Sequence, residues 1–136
     1  MMATKVLDSF ALMAFFQDEP GADTVENLIY DAEMGKCNLA ICIVNLGEIW
    51  YSISRKLSPE KADYYIQEIQ GMAIEIVTPD WALTHQAAVY KAKGNISYAD
   101  CFAAALAKIL GGSVVTGDRD FKILENEVTI EWLAQY

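Results

Sequence analysis

The segment SVVTGDRDF (113–121) sets Asp118 and Asp120 directly after a short run that reads as a buried strand. Three more acids stand in comparable places. Asp8 follows the apolar run KVL (5–7). Glu48 falls in the first turn of the helical stretch NLGEIWYSISRKL (45–57), and Asp100 in the first turn of SYADCFAAALAKILGG (97–112). In an open α/β sheet, ligands bind beyond the carboxyl ends of the strands, so these segments can deliver their carboxylates to one edge. Carboxylates that converge without a cation repel and raise one another's pKa. Mg2+ or Mn2+ removes that problem, because a hard cation takes two or three acid oxygens and still has room for a substrate phosphate. Zinc fits poorly. The only histidine, His85, is mid-helix, and Cys37, Cys42 and Cys101 are odd in number and lack ligand spacing. The cysteines read as buried free thiols in a reducing compartment.

Each acid also has a purely structural reading. Ser97-x-x-Asp100 fits a capping box, Asn45-x-x-Glu48 resembles one, and Asp8 or Asp118 can serve as an N-cap. Capping alone does not explain why helix starts repeatedly place a carboxylate beside very apolar neighbours. Glu26, Asp31, Glu60, Glu68 and Glu75 fall on polar helix faces or in turns and read as solvated.

The elements that must position these acids alternate along the chain. Strands are expected at 5–7, 38–42, 74–77, 113–116 and 128–132. Helices are expected at 9–17, 19–36, 45–57, 58–70, 78–94 and 97–112. Ser58-Pro59 gives the fourth helix a cap followed by proline at its first position, and Thr78-Pro79 repeats that opening. Strands separated by helices predict an α/β fold with a mostly parallel sheet, helices on both faces, and one domain over 1–136. The helix at 97–112 is apolar almost all round and therefore central.

With 19 acids against 10 bases and a net charge of −9, the chain does not hold nucleic acid mainly by neutralising phosphates. Bound divalent ions would reverse the field locally. No apolar run reaches the roughly 20 residues of a membrane helix. The N-terminal stretch has no unbroken signal-peptide core, so a cytoplasmic protein is expected.

VLDSFALMAFF, NLGEIWYSISRK, SYADCFAAALA and VVTGDRDF, in this order and spacing, resemble the PIN-domain nucleases, and the length resembles their small VapC-like toxin branch. The resemblance covers essentially the whole chain. It implies a five-stranded sheet in the order 3-2-1-4-5 and a metal-dependent endoribonuclease that hydrolyses RNA with a metal-activated water. The implied catalytic acids are Asp8, Glu48, Asp100 and Asp118, with Asp8, Asp100 and Asp118 on Mg2+ or Mn2+. Ser9 and Thr116 match hydroxyl positions near the acids, and Asp120 has an outer-shell or structural place. Asn45, one turn before Glu48, is a supporting residue. Arg119 is a candidate RNA contact, as are Arg55, Lys56, Lys91 and Lys93. The resemblance also implies a cognate antitoxin in the groove near helices 45–57 and 58–70, which carry Trp50, Tyr51, Tyr64 and Tyr65, and a homodimer. One position departs from the pattern: Phe10 stands where a small polar residue is usual.

Two other readings compete. One is a non-catalytic PIN-like module that binds RNA or protein and whose acids only cap helices. The other is a phosphotransfer or phosphatase domain with an acid cluster. Phe10 argues against that phosphatase, which needs an aspartate two residues after the first. Strand three, ending IVTPD, lacks the aspartate of a receiver domain.

Overall fold

A computed structural model describes residues 2–134. The expected domain span, 1–136, includes residues 1, 135 and 136, which lie outside this description. Within it the elements run β1 (Thr4–Leu7), α1 (Ser9–Phe16), α2 (Ala22–Glu33), β2 (Asn38–Cys42), α3 (Ile43–Lys56), α4 (Pro59–Gln70), β3 (Ile74–Val77), α5 (Trp81–Lys91), α6 (Tyr98–Leu110), β4 (Ser113–Thr116), a 3-10 helix (Arg119–Leu124) and β5 (Thr129–Trp132). The five strands form one sheet in the order β3-β2-β1-β4-β5. Every pairing in it is parallel.

Strand alternation sorts the core into two layers. Val6, Ala40 and Val114 face α5, α6 and the 3-10 helix, in one cluster with Leu83, Tyr90, Phe102, Leu106 and Phe121. Leu7, Leu39, Ile41 and Val115 face the opposite side and meet Leu12, Val25, Ile29, Ile49 and Ile53 of α1, α2 and α3. Short apolar strands covered on both faces are what a parallel sheet requires. The central helix α6 is buried from Asp100 to Ala107. It ends on Gly111, in the left-handed region at φ +66, and the chain turns at once into β4. Gly112 passes so close to β1 that a Cβ there would stand 2.1 Å from the Thr4 carbonyl oxygen. Glycine is therefore what lets β4 enter beside β1. At the far edge of the sheet, Glu131 of β5 accepts from Lys5 Nζ at 2.7 Å and from the Ser113 hydroxyl, tying three strands together.

Several boundaries differ from the sequence expectation. α3 begins at Ile43, directly after β2, with Cys42 as its N-cap. Asn45 therefore lies inside the helix rather than capping it, and Glu48 sits in the second turn instead of the first. The β-branched Ile43 and Val44, left between strand and helix in the sequence reading, carry no helix-start signal, which hid the junction. α5 is capped by Asp80, whose carboxylate accepts from Leu83 N at 2.9 Å, so Pro79 precedes the cap instead of opening the helix after a cap at Thr78. The 3-10 turn after β4 carries no periodic signal of its own. The caps at Ser58 and Ser97 stand where expected, accepting from Lys61 N and Asp100 N, both at 3.1 Å.

Two buried aromatic residues give opposite expectations. Phe121 is fully buried, and Phe121→Ala should cost roughly 3–5 kcal/mol in a denaturant titration. The buried Tyr90 hydroxyl has no hydrogen-bond partner among the described residues. Tyr90→Phe should therefore leave stability unchanged or raise it by about 1 kcal/mol. A loss of that size instead would mean that the hydroxyl is satisfied in solution.

Candidate functional site

The carboxyl edge of the sheet opens into a cleft of ≈ 360 Å³ lined by Asp8, Ser9, Phe10, Met13, Glu48, Ser52, Ser97, Asp100, Asp118 and Asp120. All the acids singled out from the sequence are there, and no lysine or arginine is among the lining residues.

Register explains how they meet. β1 and β4 pair in parallel, with Leu7 opposite Val115, so the chain leaves both strands side by side at Asp8 and Thr116. Asp8 then caps α1, its Oδ1 accepting from Ala11 N at 2.9 Å. Its Oδ2 accepts from the Thr116 hydroxyl. The same hydroxyl oxygen accepts from Asp118 N at 2.9 Å. Thr116, itself fully buried, thus links Asp8 to the backbone of Asp118. Asp118 Oδ1 accepts from Asp120 N at 3.0 Å and caps the 3-10 turn. Asp100 arrives from the start of α6. Among the described residues, Asp100, Asp118 and Asp120 form the group whose carboxylate oxygens lie within 4.8 Å of one another.

Glu48 reaches the cleft from α3 and accepts a hydrogen bond from Ser9 Oγ. Asn45 is completely buried one turn earlier. Its Nδ2 donates to the Ala99 carbonyl at 3.1 Å, which binds α3 to the first turn of α6 beside Asp100. Ser9, Asn45 and Thr116 each therefore act on an acid or on the element that carries one. Ser52, Met13 and Ser97 also line the cleft. Ser52 lies four residues after Glu48 and Met13 four after Ser9, so helical spacing places each on the same face as its neighbour. The basic candidates sit differently. Arg119 lies with its guanidinium 5.1 Å from the Trp132 ring centre, and Arg55 5.0 Å from that of Tyr51. Lys91 donates to the Ile96 carbonyl at 2.8 Å, and Lys93 pairs with Glu127 at 2.9 Å. His85 is exposed and lies 5.5 Å from the Trp81 ring. The three cysteines are free and buried. No helix among the described residues is long and apolar enough to cross a membrane.

Electrostatics bears on what the cluster can hold. Burial pushes the Asp8 carboxyl up to about 8, with the charges of Asp100 and Asp118 acting in the same direction against the hydrogen bonds from Thr116 and Ala11. Burial also pushes Asp100 up to about 7, helped by Asp118, Glu48 and Asp120 and opposed by Ser97. Both carboxyls are disfavoured as anions where they stand. A divalent cation suits this site: three hard oxygen donors lie close together, and its charge would offset the repulsion.

These shifts predict a pH dependence with a definite sign. The folded state holds protons on Asp8 and Asp100 that the unfolded chain releases near 3.8. Their contribution to stability is therefore greatest in acid and is lost as pH rises toward about 8. In EDTA, the wild-type melting midpoint should fall from pH 5 to pH 8 more steeply than that of Asp100→Asn, and the variant should melt higher at pH 8. Millimolar Mn2+ should raise the wild type more than the variant. A variant that melts lower in EDTA and is indifferent to pH would show that Asp100 is a structural cap.

Comparison with known proteins places this arrangement. Among curated proteins none matches significantly. Among solved structures, a chain of the VapBC2 complex from Rickettsia felis, bound to a promoter DNA fragment, is 18% identical with a TM-score of 0.75, covering 96% of this chain and 99% of that one. VapBC-5 from Mycobacterium tuberculosis, a member of the VapBC family of toxin–antitoxin systems, is 17% identical with a TM-score of 0.67, covering 98% and 99%. VapC20 from the same organism, a toxin that cleaves the sarcin-ricin loop, is 15% identical with a TM-score of 0.71, covering 92% and 96%. At such identities the likeness is one of fold. The sequence pattern of the PIN domain matches residues 5–127, nearly the full length, and the chain belongs to the PIN domain family.

Proposed function

We propose that this PIN domain is a divalent-metal-dependent endoribonuclease, the toxin of a toxin–antitoxin pair. The observation that supports it most is the convergence of Asp8, Glu48, Asp100, Asp118 and Asp120 on one cleft without a basic side chain among its lining residues. The structural neighbours that are toxin–antitoxin proteins, one of them a toxin that cleaves the sarcin-ricin loop, support the same reading.

In this reading Asp8, Asp100 and Asp118 hold Mg2+ or Mn2+, with Asp120 within reach of the same position. Bound there, the ion supplies Lewis acidity toward a phosphate oxygen and lowers the pKa of water. The chain does the rest. Thr116 and Ala11 N fix the Asp8 carboxylate. Ser9 orients Glu48, which accepts the proton of the attacking water. Asn45 holds α3 against α6 and so sets Glu48 relative to Asp100. Arg119, one residue from each of Asp118 and Asp120, offers its charge to the RNA backbone. Attack by water rather than by the ribose 2′-hydroxyl leaves 5′-phosphate and 3′-hydroxyl ends.

An antitoxin is the proposed protein partner. A shallow apolar groove lined by Ile43, Leu46, Gly47, Trp50 and Ile66 runs between α3 and α4, with Tyr51 and Tyr64 exposed nearby, and supports a docked peptide segment. A second copy of the chain completes the proposed assembly.

The competing reading, in which the acids only cap helices, draws on the caps that Asp8 and Asp118 do make. Incubation of labelled single-stranded RNA with the purified chain separates the two. Cleavage is expected in Mg2+ or Mn2+ and absent in EDTA. Asp118→Asn should reduce it to background, and Glu48→Gln should slow it by on the order of 100-fold. Products ending in a 2′,3′-cyclic phosphate, or undiminished cleavage in EDTA, would overturn the mechanism.

A further inference from the structure

Phe10 is the aromatic side chain on the wall of the acidic cleft, and it is 37% exposed there. It belongs to neither buried core cluster. None of the ring pairs among the described residues includes it. Its ring lies against the backbone of Gly117, between Thr116 and Asp118. A Cβ at 117 would stand 2.3 Å from Phe10 Cε1 and 2.8 Å from Cζ. Gly117 is not among the glycines with positive φ, so what glycine provides here is room for the ring.

A phenyl group among carboxylates can neither ligate a cation nor hydrogen-bond a phosphate. What it offers is an apolar ring, partly open to water, beside the place where the acids gather. A nucleobase is the complementary group, because every base has a π-face that stacks on an aromatic ring whatever its identity. In a duplex those faces are covered by neighbouring pairs, so only an unpaired base can use the ring. The charge pattern points the same way. With no lysine or arginine lining the cleft and a net charge of −9, side chains of the cleft neutralise little phosphate charge, which leaves the bound cation and contacts to the bases to hold the strand there.

We propose that Phe10 is the platform on which an RNA base next to the scissile phosphate stacks. This rests on the ribonuclease reading above and adds to it a residue that positions the strand through its base.

The test is fluorescence anisotropy with a labelled oligoadenylate of about 12 nucleotides, in Ca2+ to keep the strand intact, followed by cleavage of a labelled random-sequence strand in Mn2+. Phe10→Ala and Phe10→Leu should each bind the oligoadenylate about 10-fold more weakly, and Phe10→Trp should bind at least as tightly as wild type. The same strand with abasic riboses should bind wild type no better than it binds Phe10→Ala. Gly117→Ala, which displaces the ring, should resemble Phe10→Ala. In cleavage the loss should appear in KM rather than kcat, with the melting shift on adding Mn2+ unchanged. If Phe10→Leu binds like wild type, or if Phe10→Ala weakens the abasic strand as much as the intact one, stacking is wrong while cleavage by wild type keeps the nuclease reading standing. Phe10 variants that bind and cleave RNA normally but escape inhibition by a partner protein would assign the ring to that partner and overturn the proposal. Wild type that neither binds nor cleaves RNA in any divalent ion would overturn both readings together.

Discussion

The parallel pairing of β1 with β4 is the constraint on which the rest of this molecule depends. It lets the chain leave both strands at the same height and brings Asp8 beside Thr116. One buried hydroxyl then does two jobs, donating to Asp8 and accepting from the amide of Asp118. Without that link, two acids 110 positions apart in sequence would each need a separate reason to stay put. The pairing in turn needs β4 to enter against the β1 backbone, which the missing side chain of Gly112 permits.

Capping and clustering turn out not to exclude each other. Asp8 caps α1 with one oxygen and meets Thr116 with the other. Asp118 caps the 3-10 turn while its carboxylate stays in the group with Asp100 and Asp120. The caps hold each carboxylate at a fixed angle. A helix N-terminus also favours negative charge, which partly compensates the cost of leaving the acids buried together. Asp100 makes no cap of its own; Ser97 performs that function and leaves its carboxylate to the cleft.

The parts of the fold that were readable in advance are those with local signals. β2 and β3 fall on the expected residues because each is a short apolar run that follows a turn, at Gly35-Lys36 and at Gly71. Ser58-Pro59 marks the start of α4 without ambiguity. The strand order was available only from resemblance, since nothing in a single strand says which neighbour it takes. The β2–α3 junction was invisible because Ile43 and Val44 suit either element and no turn residue separates them. In the cleft, the residue types and their places after strands pointed to acids that the fold brings to one edge of the sheet. The closeness of Asp120 to Asp100 could not be read, because it depends on the 3-10 turn folding Asp120 back. Ser9 and Thr116 were legible as hydroxyls near acids, but their partners depend on long-range pairing that sequence order does not encode.

The interior of α6 bears on how a chain of this kind can change over generations. Ala103, Ala104, Ala105 and Ala107 are all fully buried, so the helix that carries Asp100 lies against the sheet with no space to take up a larger side chain. Enlarging any of these residues costs roughly 1–3 kcal/mol, a large share of the marginal stability of a small domain. Inherited variation in the interior of α6, behind Asp100, is therefore purged for reasons of packing alone. Phe10 and Ser52 on the cleft wall are not buried, so replacing them carries no overpacking cost of that size. Lineages sharing this helix are free to vary along the wall while Asp100 keeps its place.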